Sequence, residues 1–152
     1  MRGGMLKDIA ALRADNDRVY TDVFYTDGSS ERLYILAETV LEDWCVSYGS
    51  TLRGRVEAVK HLCNAKTKIP VLIRESDTLL FFPMRSINAD GENYWINDNL
   101  LGAALPEGRN LSHLVFMNGY RLTVPYDIRI IRRQREVCRK CRDALAERQR
   151  KI

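Results

Sequence analysis

The sequence predicts a single α+β domain, in which a mostly antiparallel sheet of hairpins packs with two short helices and a long basic C-terminal helix. Three observations predict it: alternating strands joined by glycine-containing turns, two consecutive amphipathic segments, and a basic periodic segment that runs to the end of the chain. The length of 152 residues suits one domain, and 45% hydrophobic with 29% charged residues is typical of a globular protein. We find no internal repeat or linker, so we expect one domain over residues 1–152.

Turn residues between alternating segments predict the strands. Asp27-Gly28 and Asn118-Gly119 are strong hairpin signals, because glycine adopts the positive φ that tight turns require. A third turn is predicted over residues 75–77. The expected pairs are 18–26 with 30–36, 69–74 with 78–82, and 111–117 with 120–124, and 94–96 is a further short strand.

Apolar residues at helical spacing predict two short helices, over 40–48 and 51–64. Thr39 and Glu42 have the spacing of a capping box, in which each side chain accepts a backbone N–H at the helix start. Gly49 is placed to end the first helix.

A long helix is predicted from about residue 126. Pro125 suits a first helical turn, where its missing N–H costs nothing. An apolar stripe runs from Ile130 to Leu145, and basic residues cover much of the remaining surface.

Charge is unevenly distributed along the chain. Residues 1–52 carry a net charge of −4, whereas residues 127–152 hold ten basic and four acidic residues, a net charge of +6. Clustered cations release counterions from phosphates, so this asymmetry favours a polyanionic partner. The alternative is a solvated helix without a partner.

No window approaches the roughly 18 consecutive apolar residues that a membrane span needs, and the N-terminus does not resemble a signal peptide. We therefore expect no membrane partner and a cytoplasmic location. In that reducing compartment the four cysteines are expected to be free thiols.

The sequence gives no positive case for an enzyme or a cofactor. Cys138 and Cys141 form a CxxC, but no second pair supplies the remaining zinc ligands, so we interpret these thiols as core residues. His61 and His113 show no readable triad, although a spatial one with a thiol and a carboxylate would support a small hydrolase or transferase. We expect no catalytic residues and no metal site.

Basic residues near helix starts and loops are the better candidates, because helix N–H groups and guanidinium groups both bind phosphate. We predict that substituting both Arg53 and Arg55 by alanine weakens DNA binding and leaves the melting temperature nearly unchanged. The candidate DNA-binding residues form a first set, Arg53, Arg55, Lys60, Lys66, Lys68 and Arg85, and a second set on the long helix, Arg132, Arg133, Arg135, Arg139, Lys140 and Arg142.

Five ordered segments resemble the ComK family of bacterial competence transcription factors, over about residues 40–145. The segments are CVSYGSTLRGR at 45–55, KIPVLI at 68–73, LFFPMRS at 80–86, YWI at 94–96, and VFMNG at 115–119 followed by LTVP at 122–125.

The resemblance implies a DNA-binding activator of competence (DNA uptake) genes. Family members bind A/T-rich duplex DNA largely through the minor groove, and they assemble as oligomers. It therefore implies double-stranded DNA, a second copy of the chain and RNA polymerase as partners, on the nucleoid. Adaptor-mediated Clp proteolysis acts on a C-terminal segment beyond the length of this chain, so the resemblance leaves this partner open.

The alternative function is a protein-interaction module. In this interpretation the long basic helix dimerises through its apolar stripe or docks on an acidic partner protein, and DNA binding is incidental. Steep salt dependence of DNA binding would distinguish the two functions.

Overall fold

The computed structural model describes residues 6–151. After a 3-10 turn at Leu6–Asp8 the chain forms nine strands and three helices within that range. These are β1 (Ile9–Asp15), β2 (Tyr20–Tyr25), β3 (Ser30–Leu33), α1 (Ala37–Ser47), α2 (Leu52–Cys63), β4 (Val71–Arg74), β5 (Leu79–Pro83), β6 (Glu92–Asn97), β7 (Leu101–Pro106), β8 (Ser112–Phe116), β9 (Arg121–Val124) and α3 (Ile128–Arg150).

Six strands form one antiparallel sheet in the order β3-β2-β1-β6-β5-β4. β1 lies near its centre, where Leu12 is opposite Val23 of β2 on one side and Trp95 of β6 on the other. The remaining strands form a second antiparallel sheet in the order β7-β8-β9. All the paired strands are antiparallel, so the predicted fold class is confirmed.

Alternating side chains give the larger sheet two buried faces. On β5, Leu80 and Phe82 pack with α3 and the small sheet, whereas Phe81 packs with α1 on the opposite face. α2 lies beside β4 and contacts both other helices; its Val59 belongs to the first cluster and its Leu52 to the second. The sheet therefore separates α1 from α3.

The three expected hairpins are confirmed. Five of their six strands are shorter than predicted, whereas β5 has the predicted five residues and is shifted by one position, from 78–82 to Leu79–Pro83. The hairpin at Asn118-Gly119 belongs to the small sheet, however, rather than to one continuous sheet. The short strand predicted at 94–96 is the centre of β6. Two strands, β1 and β7, were not predicted.

The predicted helices are also present, with two local corrections. The capping box at Thr39 and Glu42 is wrong, because α1 begins at Ala37 and its N-cap residue has no side-chain hydrogen bond. Pro125 lies before α3 rather than in its first turn, since the N-cap is Asp127, whose carboxylate accepts the Arg129 N–H at 2.9 Å. Gly49 ends the first helical segment as expected, with φ of 83°.

Within residues 6–151, no helix is both long and apolar enough to cross a membrane.

Candidate nucleic-acid interface

The start of α2 is fixed by two side-chain caps. The Thr51 hydroxyl accepts the Gly54 N–H at 3.0 Å, and the Glu42 carboxylate accepts the Leu52 N–H at 2.7 Å. Glu42 thus caps the helix that follows its own. Two bonds at one helix start hold α2 in a defined orientation against α1.

Arg53 and Arg55, in the first turn of α2, have different environments. Arg53 is exposed, but it lines a groove that also contains Glu38, Glu42 and Glu57. The Arg55 side chain is only 12% exposed and lies 3.7 Å from a Glu75 carboxylate oxygen, and its Nη2 donates to the Tyr48 carbonyl at 3.5 Å. Both cations therefore lie among carboxylates or carbonyls.

Three lysines of the first set come together in one groove of about 200 Å³, which we call the lysine groove. Lys60 comes from α2, and Lys66 and Lys68 come from the loop that leads into β4. Its walls are completed by Val56, Thr67, Ile69, Ser86, Ile87 and Trp95, so no carboxylate lines it. Lys60 approaches an exposed Glu57 oxygen at 3.4 Å. Within the described chain, Lys66 and Lys68 have no ion pair.

The backbone of Lys68 is held by α3. Gln134, which is 3% exposed, donates from its side-chain amide to the carbonyls of Lys68 at 2.8 Å and Pro83 at 2.7 Å. Lys68 has a φ of 50°, a left-handed conformation that is uncommon outside glycine. The long helix therefore fixes the loop that carries two of the three lysines.

Arg85 braces the loop between β5 and β6. Its Nη1 donates to the carbonyls of Asp90 at 2.7 Å and Glu92 at 2.9 Å, and its backbone N–H donates to the Asn93 side chain. The neighbouring Ser86 lines the lysine groove. Arg85 itself is exposed, and the hydrogen bonds of its guanidinium are with the loop rather than with the groove.

Two arginines of the second set hold a buried carboxylate. Asp98, whose side chain is 4% exposed, accepts a bond from Arg135 Nε at 2.9 Å and a second from Arg142 Nη1. Arg135 also donates to the Leu101 carbonyl, and Arg142 to Asn99. These cations attach α3 to the turn between β6 and β7.

The remaining cations of the second set differ in their pairing. Arg139 is bound by Glu136 and Asp143 of its own helix. Arg132, Arg133 and Lys140 are exposed and have no ion pair within the described residues. Together with Arg129 and Arg139 they form a surface that we call the α3 outer face.

The six-stranded sheet carries a further charged cluster that the sequence analysis missed. Asp22, whose side chain is 6% exposed, binds Arg13 at 2.8 Å and Arg32 at 2.7 Å. The Arg32 guanidinium lies 3.7 Å from the Tyr20 ring centroid. Burial alone would raise the pKa of Asp22, but the hydrogen bonds from Arg32 and Arg13 outweigh it and hold the pKa below the ordinary value.

The thiols behave as the sequence predicted. Cys138 and Cys141 are fully buried in the core beneath α3, which confirms their interpretation as core residues. Burial raises the pKa of Cys141 to about 12 and that of the buried Cys45 to about 11. Cys63 is half-buried, and all four cysteines are free.

The histidines do not meet a thiol and a carboxylate in a shared pocket among residues 6–151. His113 Nδ1 lies 3.1 Å from Glu107 and 2.9 Å from the Thr123 hydroxyl, whereas His61 is exposed on α2. Over the same range no group of three or more His, Cys, Asp or Glu side chains could hold a metal ion.

The apolar stripe of α3 is used inside the molecule. Ile131, Cys138 and Leu145 are buried against the two sheets. The stripe is therefore not free to dimerise, which removes the observation that motivated the protein-interaction alternative.

Comparison with known proteins identifies the family. The model of the ComK protein family matches residues 8–150, nearly the whole chain, including the lysine groove and α3. No curated protein and no solved structure matches this sequence. The chain therefore belongs to the ComK family, a family of competence transcription factors rather than of enzymes.

Proposed function

We propose that this protein binds A/T-rich duplex DNA and activates transcription of genes for DNA uptake, with the lysine groove as its principal phosphate contact. The observation that carries the proposal is the convergence of Lys60, Lys66 and Lys68 in a groove without a carboxylate in its lining. Lysine ammonium groups neutralise backbone phosphates, and this contact supplies affinity without reading sequence.

Two further exposed cations are candidates for additional phosphate contacts. Arg85 directly precedes Ser86 of the groove in sequence, and Lys140 lies on α3 without an ion pair in the described chain. Arg53 lies on the same helix as Lys60, but it lines a different groove, in which glutamates offset its charge. Arg135, Arg139 and Arg142 already bind carboxylates, so we assign them a structural role rather than a direct DNA contact.

In this proposal the preference for A/T-rich sites follows from the shape of the DNA minor groove. A/T tracts narrow the minor groove and strengthen its negative potential, which attracts arginine side chains. Minor-groove hydrogen bonding distinguishes base pairs poorly, so specificity would depend on DNA deformability and on the spacing of copies. The protein would act on the nucleoid as a homo-oligomer, with RNA polymerase as its functional partner.

The proposal is tested by fluorescence anisotropy with labelled A/T-rich and G/C-rich duplexes over a salt series. The test variant is Lys66→Gln with Lys68→Gln. The control is Arg109→Gln with Arg121→Gln, which removes the same charge from exposed positions at the small sheet, a sheet that lines no part of the lysine groove. All proteins are compared by circular dichroism first.

We expect the wild type to prefer the A/T-rich duplex, with affinity falling steeply as salt rises. The test variant should bind about tenfold more weakly, with a log–log salt slope shallower by about 0.9 for each lost phosphate contact. The control variant should bind DNA with nearly the affinity and salt slope of the wild type. Absence of binding at about 50 mM salt and micromolar protein, or equal losses in both variants, would contradict the assignment.

A further inference from the structure

The surface around α1 combines negative charge with exposed apolar side chains. Residues 33–52 contain three acidic residues and no lysine or arginine. Glu38 and Asp43 are exposed and have no ion pair within residues 6–151. Among the exposed large hydrophobic residues of that range, Tyr34 (78%), Leu36 (36%) and Val46 (57%) lie on or just before this helix. We call these five residues the α1 surface.

Two grooves flank this helix. The one towards α2 has a volume of about 500 Å³, and three glutamates (Glu38, Glu42 and Glu57) and one cation, Arg53, line it together with the apolar Val56 and Ile87. The one towards β3 measures about 300 Å³ and includes Ile35, Trp44 and Asp43. α1 is therefore a ridge between two partly apolar grooves. Unpaired apolar surface bordered by charge is typical of a protein-binding site.

The sign of the charge restricts the partner. If two α1 surfaces met across a two-fold axis, Glu38 and Asp43 of one copy would face those of the other, and like charges in contact cost several kcal/mol. A favourable partner must therefore present cations.

The same molecule presents such cations on the opposite side of its six-stranded sheet. On the α3 outer face Arg132 and Arg133 are exposed and have no ion pair within residues 6–151, and the Arg129 side chain is 83% exposed although it also binds Asp127 at 2.9 Å. Arginine suits both parts of the α1 surface: its aliphatic stem covers apolar groups and its guanidinium stacks on aromatic rings such as Tyr34.

We propose that the α1 surface of one copy binds the α3 outer face of the next, so that copies associate head to tail. Because the two surfaces lie on opposite faces of the sheet, the contact leaves one of each free in every pair. Further copies can then add in series, instead of stopping at a symmetric dimer. The inference extends the proposed function by specifying how neighbouring copies on DNA would meet, but its test uses no DNA.

The test is sedimentation velocity over a concentration series at about 50 mM and about 500 mM salt, since salt screens exposed charges. Two charge-reversal variants are compared: Glu38→Lys with Asp43→Lys, and Arg132→Glu with Arg133→Glu. The wild type should exceed the dimer mass as concentration rises at low salt, and less so at high salt. Each variant alone should associate at least about tenfold more weakly than the wild type.

Mixing the two variants in equal amounts gives the decisive result. One variant carries added cations on the α1 surface, and the other carries added carboxylates on the α3 outer face. These two altered surfaces have opposite charge, as do the two unaltered ones, so the mixture should associate again. A matched control, Asp17→Lys with Asp90→Lys, reverses two exposed loop acids that line neither groove and should behave as the wild type.

A wild type that is monomeric throughout, a dimer that does not grow, or a mixture that stays dissociated would overturn the proposal. If a reversal variant loses its circular dichroism signal, the neutral pair Glu38→Gln with Asp43→Asn replaces it and should weaken association in the same direction. Since DNA binding is measured separately, failure here would leave the lysine groove assignment untouched.

Discussion

The buried side chain of Gln134 holds the backbone of Lys68, because its amide donates a 2.8 Å hydrogen bond to the Lys68 carbonyl. The same amide nitrogen donates to Pro83 at 2.7 Å. One side chain of α3 thus satisfies two carbonyls from two different segments, and it supports a lysine whose φ is positive. The shape of the lysine groove depends on the packing of α3.

Gln134→Leu is expected to lower the free energy of unfolding by about 2 kcal/mol, because a buried carbonyl without a donor costs about 1–3 kcal/mol. Urea denaturation measures the change. Gln149→Leu, at an exposed position on the same helix, should alter stability by less than about 0.5 kcal/mol. Equal stability of the two variants would show that the Gln134 bonds contribute little.

Asp98→Ala is expected to destabilise the protein by about 2–3 kcal/mol, since removing one partner of a buried ion pair leaves uncompensated charge. Arg135 and Arg142 would both lose their carboxylate. Glu136→Ala removes an exposed partner of Arg139 and should cause no measurable change. Thermal or urea unfolding compares the two, and similar losses would argue against a special role for the buried carboxylate.

Arg53 and Arg55 are expected to differ in their effect on stability. Arg53→Ala should leave the melting temperature unchanged, because the side chain is exposed. Arg55→Ala should lower stability by about 1–2 kcal/mol, because it removes packed side-chain atoms and the bond to Tyr48. The structure thus revises the expectation that both could be replaced at no cost. Calorimetry of the single variants would decide, and an unchanged melting temperature for Arg55→Ala would contradict it.

Acid should remove the stabilisation that Asp22 provides. The folded-state pKa of Asp22 lies below its ordinary value of 3.8, so the ionised form is favoured by folding. This contribution is complete above about pH 4, the unfolded-state pKa, and is lost as pH falls through the lower folded-state pKa. Urea midpoints of wild type and Asp22→Asn between pH 6 and pH 3 should therefore converge in acid. A constant difference would refute the linkage.

Thiol labelling should separate Cys63 from the other cysteines. Burial raises the pKa of all four thiols, but only Cys63 is partly exposed. An aromatic disulfide reagent at pH 8 should modify one thiol in the folded protein and four after denaturation. Cys63→Ser should abolish the folded-state reaction, and labelling of a second thiol at the same rate would show that the α3 core opens readily.

The local signals in the sequence predicted the hairpins well, because their turns depend on nearby residues. Gly28 and Gly119 have the positive φ that their positions require. β1 and β7 were missed because Ile9–Asp15 and Leu101–Pro106 are rich in alanine, a poor strand former. Pairing on both sides overrides that preference in β1.

The ion pairs also differ in whether the local sequence predicts them. Pairing of Arg139 with Glu136 and Asp143 is implied by the spacing of three and four residues along a helix. Pairing of Arg135 with Asp98 joins distant segments and left no pattern in the sequence. The number of basic residues therefore indicates a polyanionic partner. Only the tertiary structure distinguishes the cations that stabilise the fold from those that remain available to bind phosphate.

The position of β1 also has a consequence for biosynthesis. β1 pairs on one side with β2, which follows it directly in the sequence. On its other side it pairs with β6, where Ala11 is opposite Ile96, and β6 is synthesised about 80 residues later. The centre of the sheet must consequently assemble late on the ribosome, and chains that terminate before β6 would expose an apolar strand edge prone to aggregation.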